Sequence, residues 1–348
     1  MSETTAAESQ PTRRSRREVL GLLGTTATAV LAGCSTGDTT TPTNSMTPNN
    51  DSSATAKSRH RWKNTDSPTE KTLHAVVPSA DGPFAVGGSG RVLARQSDGW
   101  TTVVQRGPAA AANTLRGAAV TGDGRAVWFA GGSGVVGRYE TTDDRLTDYS
   151  APKNKTSTWE DIAVTGAAGT ETIHLVNGSG EYLRGHRTRE GGMNWATVLK
   201  PGGGSSMKAI AFSDLSIGYI SDTNAKVYET TSGGKSWHTI GIEGGSVGLY
   251  DVTAVNRDAV DAVGGDGSIF RYNGAVWTKL SAGSNALYAI DRQGTDGLAG
   301  GGSGTVFDRR AGQWRQEQVP TSAGLRGITI ASNTAVAVGS GGAIIERT

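Results

Sequence analysis

Short apolar stretches alternate with turns rich in glycine and polar residues along residues 59–348. Residues 73–77, 115–120 and 325–330 begin with leucine and continue with small or apolar side chains at most positions. Apolar runs of this length, bounded by glycine, are typical of buried β-strands, and the region carries no long stretch with a helical period. The pattern therefore predicts an all-β fold.

A glycine-rich anchor recurs through the same region. Most copies are close to Gly-Gly-Ser-Gly and one is degenerate; they occupy residues 87–90, 131–134, 177–180, 221–225, 264–267, 301–304 and 339–342. The last residues of successive anchors are about 42 residues apart on average. An apolar strand lies upstream of each anchor, a second enters it and a third leaves it, and in most copies a fourth begins near a tryptophan. Four short strands per repeat of this length are typical of a β-propeller blade.

The two ends of the repeat region complement each other. The last repeat has no tryptophan strand, whereas residues 61–65, around Trp62, form a tryptophan strand that precedes the first repeat. Pairing Trp62's segment with residues 344–348 would complete the last blade and remove two open sheet edges. The sequence thus predicts a seven-bladed propeller of four-stranded antiparallel blades, closed by an N-terminal strand.

The amino-acid composition limits the kinds of ligand and cofactor that we expect. Glycine accounts for 51 of the 348 residues, which we attribute to turns that need positive φ. The net charge of +2 gives no electrostatic argument for nucleic-acid binding. The single cysteine excludes an intrachain disulfide, and the five histidines lack metal-ligand spacing, so we expect neither a metal nor another cofactor.

The N-terminal region has the organisation of an export signal followed by a tether. Arg16 and Arg17 precede a modestly apolar run in a pattern that resembles the twin-arginine signal, and the run ends in a lipobox-like sequence at Cys34. Residues 1–33 are accordingly predicted to be a twin-arginine lipoprotein signal peptide. Residues 34–58, rich in serine, threonine and proline, are predicted to be a disordered tether. The mature protein would be held by lipid on Cys34 at the outer face of the cytoplasmic membrane.

One column of the repeat places polar side chains where the rest of the inner strand is small or apolar. It is the position after the first apolar residue of each inner strand, occupied by His74, Arg116, Glu160, Lys208, Tyr250, Tyr288 and Arg326. These residues are predicted to form a ring at one mouth of the central channel. A solvated rim without function is one interpretation, and a mainly cationic, partly aromatic site for an acidic or glycan-like ligand or a partner loop is the other.

Two of the turns before a tryptophan resemble the Asp-box, Ser/Thr-x-Asp-x-Gly-x-x-Trp. They are residues 188–195 and 230–237, in which Glu190 and Ser232 replace the aspartate, and residues 97–100 form a shorter relative. We interpret them as structural hairpins whose tryptophan fills the space between blades. Because sialidases carry such turns, a glycan-binding or glycan-cleaving enzyme, sialidase-like or a lyase, is the alternative function.

The combination of strands, anchors and Asp-box turns, repeated seven times over residues 60–348, resembles the photosystem II stability/assembly factor family. That resemblance implies a non-catalytic binding scaffold. No feature of the sequence indicates a photosystem partner. We therefore expect a membrane-tethered, extracytoplasmic scaffold that acts as a monomer, has no catalytic residues, and binds a protein or glycan not identified by the sequence.

Overall fold

The computed structural model describes residues 61–281, 283–332 and 334–348. Within them, 28 strands form seven separate four-stranded antiparallel sheets, and each sheet is one blade. The fold is a seven-bladed β-propeller, as the repeat predicts. Because blades pack face to face, both faces of the middle strands are buried, and this explains why they are continuous apolar runs.

Blades 1 to 4 each take four consecutive strands, paired in chain order from the inner to the outer strand. Blade 1 consists of β2 (Leu73–Ser79), β3 (Gly82–Gly87), β4 (Val92–Gln96) and β5 (Gly99–Val104), and blade 2 of β6 (Leu115–Val120), β7 (Ala126–Gly131), β8 (Val136–Glu140) and β9 (Arg145–Asp148). Blade 3 consists of β10 (Trp159–Thr165), β11 (Thr172–Asn177), β12 (Tyr182–Arg187) and β13 (Met193–Trp195), and blade 4 of β14 (Met207–Phe212), β15 (Gly218–Asp222), β16 (Val227–Thr230) and β17 (His238–Thr239).

Blades 5 and 6 follow the same order, and blade 7 combines the two ends of the repeat region. Blade 5 consists of β18 (Leu249–Asn256), β19 (Ala259–Gly264), β20 (Ser268–Tyr272) and β21 (Trp277–Ser281), and blade 6 of β22 (Leu287–Gln293), β23 (Asp296–Gly301), β24 (Val306–Arg310) and β25 (Gln313–Glu317). Blade 7 consists of β26 (Leu325–Ala331), β27 (Thr334–Gly339) and β28 (Ile344–Arg347), followed by β1 (Lys63–Asn64) as its outer strand. Short 3-10 turns occupy Gly88–Gly90, Pro108–Ala110, Gly132–Gly134, Pro152–Asn154, Gly302–Gly304 and Ser340–Gly342.

The ring of blades is continuous. Each inner strand contacts the inner strand of the next blade, and β26 of blade 7 contacts β2 of blade 1. In blade 7, Lys63 pairs with Glu346 and Asn64 with Ile345, and the Thr65 amide donates to the Ile344 carbonyl at 3.0 Å. A strand from each end of the repeat region thus belongs to one sheet.

Tryptophans of the outer strands join neighbouring blades. The indole Nε1 of Trp100 donates to Glu346 Oε1 of the preceding blade at 2.7 Å. Trp277 Nε1 donates in the same way to the Ile240 carbonyl, which follows blade 4, at 2.7 Å. These two tryptophans therefore link blades with a hydrogen bond as well as with apolar area, whereas the buried Nε1 atoms of Trp237 and Trp314 have no hydrogen-bond partner.

The hydroxyl groups in one of the Asp-box-like turns cap backbone amides. Thr230 Oγ1 accepts from the Gly234 amide at 3.0 Å, and Ser232 Oγ accepts from the Ser236 amide at 3.1 Å. Such bonds stabilise a tight turn locally. Membership of these turns in the Asp-box class stays a prediction.

The anchor glycines are needed for two reasons, a positive φ and a close approach of another backbone segment, and the sequence analysis named only the first. Gly134 has a φ of 71°, in the left-handed region that favours glycine. Gly131, however, is extended, with a φ of 177°, and a Cβ there would overlap the carbonyl oxygen of Thr114. The attribution to positive φ was therefore wrong for the first glycine of this anchor, where the reason is close backbone approach.

The predicted signal peptide, with Arg16, Arg17 and Cys34, lies outside the described residues, and so does the tether over residues 34–58. Those predictions stay predictions. Within residues 61–281, 283–332 and 334–348, no helix combines the length and the apolar character that crossing a bilayer requires.

Candidate functional site: the mouth of the central channel

The seven residues of the predicted ring line one cavity of about 700 Å³ at the centre of the propeller. We call them the mouth ring: His74, Arg116, Glu160, Lys208, Tyr250, Tyr288 and Arg326. Each is the second residue of its inner strand, as the repeat indicates. The structure thus brings all seven to the same place.

A β-bulge positions every member of the mouth ring. In each inner strand the pairing register shifts between the first and the third residue, so that the second residue has no partner of its own on the next strand. In blade 2, for example, Leu115 pairs with Gly131 and Gly117 with Ala130, and Arg116 is the extra residue between them. A bulge re-aims its side chain and bends its strand, which explains why long polar residues are accommodated at the channel mouth.

One half of the mouth ring is an ion-pair network centred on a carboxylate. Glu160 Oε2 lies 3.1 Å from Lys208 Nζ and 3.6 Å from Arg116 Nη1. The Arg116 side chain remains 44% exposed. Two cations on the blades that flank Glu160 therefore share one acid, and the Arg116 side chain is partly open to solvent.

The other half is aromatic and cationic. The Tyr250 and Tyr288 rings meet edge to face, with centroids 5.5 Å apart. The guanidinium carbon of Arg326 lies 5.2 Å from the Tyr288 ring centroid, a cation–π distance. Tyr250 is 38% exposed, and it is one of three exposed large hydrophobic side chains among the described residues. This half presents aromatic side chains next to a positive charge.

His74 separates the two halves of the mouth ring. Burial, together with the nearby charges of Arg116 and Arg326, lowers its pKa to about 4. The imidazole is therefore neutral near pH 7. The mouth ring then holds three cations and one carboxylate, so that its net charge is positive.

Three half-buried aspartates lie below the mouth ring on the channel wall, and the sequence analysis did not single them out. Each accepts the backbone amide of an isoleucine on the next blade's inner strand, at 2.8 to 2.9 Å; the pairs are Asp161 with Ile210, Asp251 with Ile290, and Asp291 with Ile330. A polar residue in an otherwise apolar strand was the available signal, but the partner is 39 to 49 residues away in sequence.

Burial raises the pKa of all three carboxyl groups. For Asp161 the pKa rises to about 7, with Glu160 adding to the effect. Because these oxygens are already used to join inner strands, their first role is structural. Among the described residues, no group of three or more histidine, cysteine or acidic side chains is arranged to hold a metal ion.

No protein-family model and no characterised protein sequence matches the chain significantly. Among solved structures, virginiamycin B lyase from Staphylococcus aureus superposes with a TM-score of 0.68 at 18% identity, covering 83% of this chain and 99% of the lyase. The structure of YCF48 bound to D1 peptide gives 0.67 at 14% identity, with 82% and 96% covered. The WD40 repeats of RRP9 give 0.68 at 11% identity, with 82% and 97% covered. At these identities the likeness concerns the fold alone, and the similar structures include an enzyme as well as a protein in complex with a peptide.

Proposed function

We propose that the chain is a non-catalytic binding protein whose mouth ring holds an acidic segment of a partner protein. The observation that carries this proposal is the composition of the mouth ring, which holds three cations, Arg116, Lys208 and Arg326, but only one carboxylate, Glu160. A carboxylate-bearing segment would meet a positive surface with an exposed aromatic side chain, Tyr250, beside it. Aromatic side chains and arginine are the residues that contribute most to protein interfaces.

The state of the carboxyl groups supports binding over glycan cleavage. Glycosidases use a pair of carboxyl groups, one as a proton donor and one as a base or nucleophile. Here Glu160 is paired with two cations, and Asp161 and Asp251 are held by backbone amides of the next blade. Each of these carboxyl groups is therefore already engaged in an ion pair or a hydrogen bond within the protein. Turnover of a labelled glycan that is lost in Glu160→Gln would instead favour the enzymatic alternative.

The proposal includes presentation outside the cytoplasm. An export signal at Arg16 and Arg17, lipid on Cys34 and the polar tether after it would hold the propeller near the membrane surface. The peptide-bound YCF48 structure supports the protein-binding part, because a propeller of the same fold is there in complex with a peptide. A photosystem partner is not part of the proposal.

The test is a pull-down from native membranes with the full-length chain, tagged after Thr348. In Arg116→Glu/Arg326→Glu the mouth ring changes from net positive to net negative, so the captured partner should fall by about tenfold. Capture by the wild type should weaken as salt is added, and the variant should lose this salt dependence because it no longer attracts an acidic segment.

Arg125→Glu/Arg315→Glu is the matched control, because it reverses two exposed arginines outside the mouth ring. It should capture as much partner as the wild type. Full capture by the mouth-ring variant would contradict the proposal. Capture of a glycan in place of a protein would keep the ring as a site but change the class of its ligand.

A further inference from the structure

A further cavity, of about 530 Å³, opens between blades 3 and 4. Strands β10–β13 form one side of it, and the β14–β15 and β16–β17 turns form the other. We call it the blade 3–4 groove, and its principal side chains are Arg184, His186, Trp195, Leu215 and Lys235. Its volume lies in the range of sites that bind small molecules or peptide side chains.

The groove lies at the end of the blades opposite the mouth ring. Glu160 of the mouth ring is near the start of β10, whereas Thr165, which lines the groove, ends that strand. Five residue steps of extended strand separate the two by about 16 Å. A ligand in the groove would therefore leave the mouth ring free.

The charges at the groove are positive. Arg184 and Lys235 line it, and none of the described residues that line it is acidic. The Arg184 Nη1 donates to the Gly233 carbonyl at 2.9 Å, which fixes the guanidinium at the groove wall. Asp214, next to the rim, has an Oδ1 that accepts the Ser216 and Ile217 amides at 2.7 and 2.8 Å, and its single negative charge still leaves the two cations in excess.

The rim of the groove adds an aliphatic contact. Leu215 is 68% exposed at the β14–β15 turn, the most exposed of the large hydrophobic side chains described. Trp195 contributes a half-buried wall from β13. An exposed leucine beside two cations, of which Arg184 is held in place, fits a peptide with an apolar side chain next to carboxylates.

The floor of the groove is rigid. His174 is buried there, with its Nε2 3.2 Å from Thr165 Oγ1 and its Nδ1 2.8 Å from the Tyr182 hydroxyl. The Phe212 ring stacks on the imidazole with centroids 3.9 Å apart. A floor held by hydrogen bonds on both ring nitrogens keeps the groove preformed, which lowers the entropy cost of binding.

From these features we propose that the blade 3–4 groove is a second binding site, for an acidic peptide segment that carries an apolar side chain. The carboxylates would pair with Arg184 and Lys235, and the apolar side chain would lie against Leu215. With the mouth ring at the opposite end, the propeller would hold two partners at once. This inference does not depend on the ligand proposed for the mouth ring.

The probe is a fluorescein-labelled pentapeptide, Glu-Glu-Leu-Glu-Glu, titrated against the full-length chain and followed by fluorescence anisotropy. We expect saturable binding below about 1 mM at low salt. Lys235→Glu and, separately, Leu215→Ser should each weaken it by about fivefold or more. A peptide with lysine in place of glutamate should not bind.

Two controls locate the binding. Lys200→Glu makes the same charge change at an exposed lysine of blade 3 that does not line the groove, and it should leave the affinity within about twofold of the wild type. The titration is repeated in the mouth-ring variant Arg116→Glu/Arg326→Glu, where the proposed acidic site at the mouth is removed, and saturable binding that Lys235→Glu weakens should persist there. An equal loss in Lys200→Glu would overturn the proposal, and so would the absence of saturable binding at about 1 mM in the mouth-ring variant.

Discussion

His174 shows how a single buried side chain sets a pH dependence. Its imidazole lies between Thr165 and Tyr182, and burial lowers its pKa to about 3, with the charge of Arg184 contributing. The folded protein therefore keeps this histidine neutral, whereas in the unfolded chain it titrates near its ordinary value of 6.5. Between about pH 6.5 and pH 3 the unfolded state binds more protons at this residue, so the stability that neutral His174 provides is lost as the pH falls.

The free energy of unfolding should accordingly drop between pH 7.5 and pH 5.0 by about 2 kcal/mol through His174 alone. In His174→Gln this drop should be smaller by that amount, even though the variant is less stable than the wild type at pH 7.5. Urea denaturation at the two pH values measures both quantities. His186→Gln removes an exposed histidine of the same blade and should keep the wild-type difference. An unchanged pH dependence in His174→Gln would show that this histidine is not held neutral by the fold.

The anchor between the second and third strand of a blade is the element that sets the close approach of strands near the channel mouth. In blade 2, Gly131 lies against the Thr114 carbonyl, just before the strand that carries Arg116. Gly87, Gly301 and Gly339 meet the equivalent carbonyl in blades 1, 6 and 7. The absence of a side chain at this position thus lets the bulged end of the inner strand lie directly on the anchor.

Neighbouring glycines of one anchor should respond differently to the same substitution. Gly131→Ala places a methyl group on the Thr114 carbonyl and should lower the free energy of unfolding by about 3 kcal/mol. Gly132→Ala meets that oxygen at 3.7 Å, an ordinary contact, and should cost less than about 0.5 kcal/mol. The urea midpoints of the two variants provide the comparison, and equal midpoints would contradict the close-approach explanation.

At the scale of the whole molecule, blade 7 joins the two ends of the repeat region. Trp62, at the start of β1's segment, is 2% exposed, and its Nε1 donates to Glu317 Oε2 of blade 6 at 2.8 Å. The guanidinium of Arg347 lies 5.2 Å from the Trp62 ring centroid. One side chain thus connects the closing strand, the last strand of the chain and the neighbouring blade.

Trp62→Ala should therefore destabilise the entire propeller, by about 3–5 kcal/mol, because it removes a large buried ring at the closing blade. Trp62→Phe keeps most of the apolar area but loses the bond to Glu317, so its cost should be clearly smaller. Val276→Ala, at an exposed position, is the control and should be near neutral. Thermal unfolding of the three variants tests this, and a wild-type melting temperature for Trp62→Ala would mean that the closing strand contributes little.

The sequence alone determined the class of fold, the number of blades and the residues that gather at the channel mouth. These are consequences of local patterns: each blade repeats the same apolar spacing and anchor, so equivalent positions such as Arg116 and Arg326 occupy equivalent places. The export signal, the lipid on Cys34 and the binding role of the mouth ring stay predictions.

The tertiary structure alone decided how those residues are used. The bulge that aims each mouth-ring side chain, the sharing of Glu160 by Arg116 and Lys208, and the bond from Asp161 to the Ile210 amide all depend on neighbouring strands or blades. The same is true of the blade 3–4 groove, whose walls come from separate repeats. Such contacts join residues tens of positions apart, and their energies depend on distances and burial that a periodic pattern along the chain does not specify.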